Sequence, residues 1–154
     1  MVKKDFNKQQ QAKTMSQTYD QDNIFAKLLR NEIPSIRVYE DDDVVAFMDV
    51  MPQTTGHTLV VPKKASRNIL DADPQILEAT IKIVQKIAKA IKKAFNAEGI
   101  TILQFNEKSG GQTVFHLHFH VMPRFEGDKL LAHNDTMETS ENLEKAAQKI
   151  REAL

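Results

Sequence analysis

Residues 113–122 read TVFHLHFHVM, with a histidine at every second position from His116 to His120. Successive side chains of a strand point to opposite faces, so His116, His118 and His120 are predicted to share one face. The rise of a strand places neighbouring histidines roughly 7 Å apart. The other face is wholly apolar, and we expect it to be buried. It consists of Phe115, Leu117, Phe119 and Val121.

The segment just before this strand is rich in groups that can bind an anion. Residues 106–113 read NEKSGGQT. Its glycines let backbone N–H groups converge on an anion, and Asn106, Gln112 and Thr113 add neutral donors that stabilise charge on phosphate oxygens. Three imidazoles can bind zinc and leave an open position, whereas a neutral imidazole can attack phosphorus. The donor-rich loop favours phosphorus chemistry, although it lacks the GxxxxGK[ST] pattern of a P-loop.

Hydrophobic periodicity on either side of this segment predicts an α+β fold with an antiparallel sheet. Five strands are predicted, at residues 36–40, 44–49, 57–62, 100–105 and 113–122, the last closed by Pro123. One long helix is predicted to begin with Asp73 as its cap, to bury an apolar stripe between Ile76 and Phe95, and to stop at Gly99. Shorter helices are expected at residues 24–30, ended by Pro34, and at residues 141–153.

The N-terminal segment, residues 1–22, is predicted to be a disordered tail. It is polar and contains too few large apolar side chains to offset the entropy lost on ordering. The remaining residues, 23–154, are enough for a single domain with one core.

Composition excludes several classes of function. The chain has 154 residues, with 21 basic and 21 acidic side chains and a formal net charge of zero, which argues against a protein that binds nucleic acid by neutralising many phosphates. It has no cysteine, so disulfides, thiolate zinc sites and cysteine nucleophiles are excluded. No apolar run approaches the roughly 18 residues of a membrane span, and a signal-peptide core is missing. A cytoplasmic protein that does not act on membranes is expected.

Four sequence blocks, in this order along the chain, resemble the histidine triad (HIT) family. They are residues 24–34, 46–50, 52–64 and 106–120. The similarity covers roughly residues 23–124 and is greatest to the nucleotide-binding, purine nucleoside phosphoramidase-like branch. The resemblance implies a HIT-like five-stranded antiparallel sheet with one long helix. It also implies a hydrolase that acts on the α-phosphorus of purine nucleotide conjugates, of AMP or GMP, as a homodimer and without a metal or other cofactor.

The resemblance also implies roles for individual residues. His118 would attack the α-phosphorus and carry a transient nucleotidyl group, His120 would contact the phosphate, and His116 would orient its neighbours. His57 matches a further histidine near the phosphate, and Asp49 would accept hydrogen bonds from the ribose hydroxyls. The phosphate and leaving group would be surrounded by Asn106, Gly111, Gln112 and Thr113. The base would be bound by Ile24, Phe25, Leu28, Ile33, Phe47 and Val50.

The sequence departs from the family at a few positions, and several functions stay open. Many bacterial relatives have a CxxC pair in a structural zinc site, where this chain has Asn23 and Ala26, so that zinc site is expected to be absent. Many relatives have serine where this chain has Thr113. The alternatives are a dinucleoside polyphosphate hydrolase, a largely non-catalytic nucleotide-binding regulator, and a zinc hydrolase that uses the three histidines.

Overall fold

The computed structural model describes residues 18–129 and 134–154. Five strands form one antiparallel sheet in the order β1-β2-β3-β5-β4, which confirms the predicted fold class. The strands are β1 (Arg37–Glu40), β2 (Val44–Met48), β3 (Thr58–Pro62), β4 (Gly99–Leu103) and β5 (Phe119–Arg124). β5 therefore lies between β3 and β4, and it brings the histidine segment beside β3.

In the part of the chain that the structure describes, three α-helices accompany the sheet, and each follows a residue whose side chain suits an N-cap. They are α1 (Ile24–Leu29), α2 (Pro74–Ala94) and α3 (Ser140–Ala153). Their N-caps are Asn23, Asp73 and Thr139, whose side-chain oxygens each accept a backbone N–H of the first turn. Within the described residues, no helix is both long and apolar enough to cross a bilayer.

The helices cover the two faces of the sheet unequally, and this positions the site. α2 and α3 bury one face, where Ile87 and Ile150 are fully buried. The short α1 covers part of the other face, with Phe25 and Leu28 packed against Phe47. Because both faces of β2 and β3 are covered, every residue of these two strands is buried, as expected for a sheet between two apolar layers. The smaller layer leaves room for a cavity beside α1.

The residues predicted to terminate two helices, Pro34 and Gly99, do not do so. α1 ends at Leu29, before Pro34, because Asn31 adopts a left-handed φ of 59°. α2 ends at Ala94, and Asn96 has a φ of 49°. Gly99 is therefore the first residue of β4 and not the helix stop. Asparagine tolerates the left-handed conformation that ends a helix, so it replaces the proline and the glycine in these roles.

The last strand also differs from its prediction. β5 begins at Phe119, and residues 113–118 are irregular, with the Leu117 N–H bonded to the carbonyl oxygen of Ser66 at 2.9 Å. Pro123 lies within the strand and does not close it. β3 pairs only with residues 119–121, so Pro123 lies where β5 has lost this neighbour, a position where a missing N–H is tolerated.

The predicted tail is only partly covered by the structure. Residues 1–17 lie outside the described residues. Residues 18–22, which the sequence assigns to the tail, are described and contact the domain. Arg30 donates from Nη1 to the carbonyl oxygen of Gln21 at 2.8 Å, so ordered structure extends N-terminal to residue 23.

Candidate active site

A cavity of about 410 Å³ lies between α1, the ends of β2 and β3, and the histidine segment. This volume suits a small-molecule ligand. It brings together residues that are far apart in the chain. The predicted site residues that line it are Ile24, Phe25, Leu28, Ile33, Phe47, Asp49, Val50, His57, Thr113, His118 and His120.

His118 is held as a neutral imidazole of defined tautomer. Its Nδ1 lies 2.6 Å from the backbone carbonyl oxygen of His116, which only accepts, so Nδ1 carries the hydrogen and Nε2 keeps the lone pair. Burial lowers the pKa of His118 to about 4. The ring of Phe25 packs edge-on against it, with centroids 4.9 Å apart. At neutral pH this side chain is therefore an oriented, uncharged imidazole whose Nε2 carries the lone pair.

His57 and His120 form a second hydrogen-bonded unit beside His118. The Nε2 atom of His57 lies 2.8 Å from Nδ1 of His120, and the backbone N–H of Gln53 donates to Nδ1 of His57 at 3.1 Å. Burial, with the charge of His118 second, lowers the pKa of His57 to about 4. The neutral His57 ring therefore donates from Nε2 to His120. A neutral His120 then carries its own hydrogen on Nε2, where it is a donor for an anion.

The prediction that the three histidines share one face of a strand is wrong. Of the three, His120 alone lies in β5, while His116 and His118 precede it. His116 is fully buried and does not line the cavity. Its Nε2 donates to the carbonyl oxygen of Pro62 at 2.7 Å. The apolar face also differs, because Phe115 is only half-buried, under the guanidinium of Arg67.

Most of the predicted phosphate loop supports the site from outside the cavity. Thr113 lines the cavity, but Asn106, Gly111 and Gln112 do not. Gln112 is buried, and its amide bonds to Arg67, Asn68, Glu107 and Val114. Asn106 accepts the backbone N–H of Ile69 at 3.0 Å. Gly111 has a φ of 96°, and a Cβ there would lie 3.1 Å from the ring of Phe105. In this chain these residues hold the loop in shape.

Asp49 and an apolar wall line the same cavity beside the histidines. One carboxylate oxygen of Asp49 accepts the N–H of Met51 at 2.9 Å, and the other lies 3.5 Å from Nε2 of His57. Phe25 and Phe47 are buried, whereas Ile24 is 46% exposed and Val50 is 44% exposed. A half-exposed apolar wall next to a carboxylate can hold a flat aromatic group and a hydroxylated ring.

The segment before α3 supplies cavity residues that no sequence pattern indicates. Asn134 and Met137 both line the cavity. Asn134 donates from Nδ2 to the carbonyl oxygen of Pro52 at 2.6 Å, and the N–H of Glu138 donates to Val50 at 2.9 Å. No local motif marks these residues, because only the path of the folded chain brings them to the site. Tyr19, which contacts His116, was assigned to the tail for the same reason.

The three triad histidines are not the set most suited to a metal. Among the described residues, the group that could hold one is Asp49, His57 and His120, whose ligand atoms lie within 4.8 Å of one another. Two of these atoms, on His57 and His120, already share the 2.8 Å hydrogen bond.

The position of one expected cysteine is taken by Asn23, which caps α1, so this position supplies no thiolate for the structural zinc site of relatives.

Comparison with known proteins identifies the family of this domain. The HIT domain matches residues 30–127. An uncharacterized HIT-like protein of Borreliella burgdorferi is 46% identical over 109 residues, which are 70% of this chain and 78% of that protein. Adenylylsulfatase HINT3 of Arabidopsis thaliana is 33% identical over 90% of this chain and 70% of its own length.

A solved structure extends the likeness to three dimensions. The crystal structure of a Hit-like protein from Bartonella henselae, described as involved in cell-cycle regulation and bound to an unknown ligand, is 64% identical. It has a TM-score of 0.86 and covers 90% of this chain and 100% of that one. The matched domain, the relatives and the shared fold together show that this chain belongs to the HIT family.

Proposed function

We propose that this HIT-family nucleotide-binding hydrolase cleaves purine nucleotide conjugates of the adenosine phosphoramidate type at the α-phosphorus. The reaction would proceed through a covalent nucleotidyl group on His118. The observation that carries the proposal is the state of His118, which is neutral and has its Nδ1–H bonded to the His116 carbonyl. This leaves the Nε2 lone pair as the nucleophile of a side chain that lines the cavity.

In the first step, the Nε2 lone pair of His118 forms a bond to the α-phosphorus. The bond from phosphorus to the leaving amine breaks, and the nitrogen keeps the electron pair and takes a proton from solvent. His118 becomes positively charged, and its Nδ1–H bond to the His116 carbonyl stabilises that charge. The Nε2–H of His120 donates to a phosphoryl oxygen as negative charge develops there.

In the second step, water replaces the enzyme on phosphorus. A water molecule attacks the nucleotidyl group and releases one proton, the bond from phosphorus to Nε2 breaks, and its electron pair returns to His118. The products are the nucleoside monophosphate and the free amine, and one water is consumed. Two displacements at one phosphorus split a difficult hydrolysis into two easier ones.

The shape and chemistry of the cavity support a purine ribonucleotide as the bound part of the substrate. Phe25, Phe47 and Leu28 form an apolar wall for a purine base, and Asp49 lies at the edge where ribose hydroxyls would donate hydrogen bonds. Base and ribose would then place the α-phosphorus beside His118 and His120. The same contacts suit adenine and guanine, so AMP and GMP conjugates are both candidate substrates.

Trapping the intermediate tests this proposal directly. The enzyme is mixed with an adenosine phosphoramidate labelled at phosphorus, quenched within the first turnovers, and the modified peptide is mapped. We expect the label on His118. The His118→Asn variant is the matched control, because it keeps a polar side chain of similar size but lacks the nucleophile; it should bind AMP and carry no label. A label on another residue, or turnover by His118→Asn, would contradict the nucleophile assignment.

Three alternative functions are distinguished by assays on the same enzyme: product analysis, AMP binding and activity in the presence of a chelator. Faster release of AMP from dinucleoside polyphosphates than from phosphoramidates would favour the polyphosphate hydrolase. The name of the Arabidopsis relative adds adenylyl sulfate to the conjugates that should be compared. Tight AMP binding with negligible turnover on all of these would favour a regulator. Full activity in the presence of a chelator would exclude a zinc hydrolase.

The proposal also includes a homodimer, in which two copies of this chain would pair at the exposed edge of β4. Among the described residues, β4 is at one end of the sheet and pairs with β5 alone. Ile102 on this strand is 45% exposed, and an exposed edge strand with an apolar side chain is a ready surface for pairing with a second copy. Analytical ultracentrifugation of the wild type and of Ile102→Lys tests it, and a monomeric wild type would contradict it.

A further inference from the structure

The short segment before α1 is attached to the domain by specific hydrogen bonds. Besides the bond from Arg30 to Gln21, Asn23 donates from Nδ2 to the carbonyl oxygen of Asp20 at 2.7 Å. Tyr19, at the start of this segment, is half-buried. Its ring packs edge-on against His116, with centroids 5.6 Å apart and planes at 66°. The segment therefore places the Tyr19 hydroxyl beside His116, the first histidine of the triad, 97 positions further along the chain.

The direction of the bond between Tyr19 and His116 follows from the other ring nitrogen. Nε2 of His116 lies 2.7 Å from the carbonyl oxygen of Pro62, so Nε2 carries a hydrogen. Burial lowers the pKa of His116, and the ring is neutral. Nδ1 is then an acceptor, and the Tyr19 hydroxyl, whose oxygen is 2.6 Å away, donates to it. The His116 ring is thus held at both of its nitrogen atoms.

The fixed position of His116 also affects His118, the proposed nucleophile. Its backbone carbonyl accepts the Nδ1–H of His118 at 2.6 Å, and the two residues lie in an irregular segment without the strand pairing that holds His120. We propose that Tyr19 is a positioning residue, which clamps the His116 ring against Pro62 and thereby fixes the carbonyl that sets the tautomer of His118. The link to turnover rests on the proposed function of His118, whereas the clamp on His116 does not.

The chain offers a matched control for removing this hydroxyl. It contains two tyrosines, and the other, Tyr39, donates to Asp41 at 2.7 Å and lies on β1, outside the cavity lining. Tyr19→Phe and Tyr39→Phe each remove one hydroxyl and the hydrogen bonding of that hydroxyl while keeping the ring. A general loss of stability would affect both variants alike, but only Tyr19→Phe leaves a buried imidazole nitrogen unpaired.

The experiment combines kinetics with a direct view of the ring nitrogens. Long-range ¹H–¹⁵N spectra of ¹⁵N-labelled protein report which nitrogen of each histidine is protonated. We expect Tyr19→Phe to shift the His116 Nδ1 signal and to lower kcat on an adenosine phosphoramidate roughly tenfold, with KM nearly unchanged. Tyr39→Phe should leave both the His116 signals and kcat at wild-type values.

Results other than those expected would overturn either the role of Tyr19 or the proposed function. An unchanged His116 Nδ1 signal in Tyr19→Phe would overturn the clamp, whatever the kinetics. A shifted signal with unchanged kcat would overturn the link from His116 to His118. Equal losses of kcat in the two tyrosine variants would point to general destabilisation and would also overturn the proposal. If the wild type hydrolyses no nucleotide conjugate, the proposed function fails, and the His116 signal still decides whether Tyr19 clamps the ring.

Discussion

The Nε2 atom of His57 lies 2.8 Å from the Nδ1 atom of His120, across 63 positions of sequence. This bond joins the residue before β3 to the last histidine of the triad, which lies in the neighbouring strand β5. Because Gln53 donates to the other nitrogen of His57, the proton of a neutral His120 is on Nε2. A residue outside the triad thus sets the hydrogen-bonding character of one inside it.

Replacement of His57 tests this relationship. His57→Leu leaves the Nδ1 acceptor of His120 buried without its donor, at a cost of about 1–3 kcal/mol, and we expect kcat to fall roughly 10- to 100-fold. His57→Gln keeps an amide N–H and should retain more activity than His57→Leu. Steady-state kinetics on the two variants check the order. Equal activity of His57→Leu and the wild type would remove His57 from the catalytic unit.

Asp49 is expected to discriminate ribose from deoxyribose. Asp49→Asn removes a charged acceptor, whose hydrogen bonds contribute about 1.5–3 kcal/mol each, so the KM for a ribonucleotide conjugate should rise roughly tenfold or more. The KM for the 2′-deoxy conjugate should change much less. Asp42→Asn, in the exposed turn between β1 and β2, is the control. If Asp49→Asn discriminates between the two sugars as well as the wild type does, Asp49 does not bind the ribose.

The activity should be insensitive to pH around neutrality. The pKa values of His118 and His57 are lowered to about 4, so both rings are neutral well above that value. We expect kcat/KM to be level with respect to these groups between pH 6 and 8 and to decline only as pH approaches about 4, where protonation removes the lone pair. A decline with a midpoint near the ordinary histidine value of about 6.5 would contradict this state of His118.

The same lowered pKa values predict how folding stability depends on pH. Below about pH 6.5 the unfolded chain binds protons on His57, His116 and His118 more readily than the folded chain does, because burial lowers the pKa of each ring in the folded protein. The free energy of unfolding should therefore decrease as pH falls from 6.5 through about 4. Urea unfolding between pH 7 and 4.5 measures this, and His57→Gln should have a shallower slope, because one of the three groups is gone. An equal slope would show that His57 titrates normally in the folded protein.

Gly56 is predicted to be irreplaceable for a steric reason. It has a φ of 95°, and a Cβ there would lie 2.5 Å from the Phe95 ring. Gly56→Ala must strain the backbone and displace that ring, so we expect a loss of at least about 1–3 kcal/mol of stability and disorder at the adjacent His57. Gly99→Ala, where a Cβ has no neighbour within 4 Å, should be close to neutral. Thermal unfolding of both variants gives the comparison, and equal stability would refute the steric argument.

The sequence predicted the elements that depend on local residue patterns. It was less accurate for elements whose extent depends on pairing with another strand. The three helices, the Asp73 cap of α2 and most of its buried stripe follow from periodicity and capping chemistry, and the structure agrees, although Ile81 within the stripe is 50% exposed. The extent of β5 was wrong, because strict alternation in residues 113–118 imitates a strand. These residues bond instead to the loop after β3, through Leu117 and Ser66, and alternation alone does not report a missing partner strand.

The site, like the fold, has features that the sequence predicts and features that only the tertiary structure shows. Histidines at alternate positions, a glycine loop, and the ordered blocks around them are properties of the chain, and they were sufficient to indicate the family and many of the residues that line the cavity. The tertiary structure alone decided that His116 lies outside that cavity and that Gln112 supports the loop. It also decided that Asn134 and Met137 line the cavity and that Tyr19 contacts His116. Hydrogen bonds between residues tens of positions apart form only when the sheet order and the path of the chain bring them within 3 Å. No local pattern of residue types encodes that proximity.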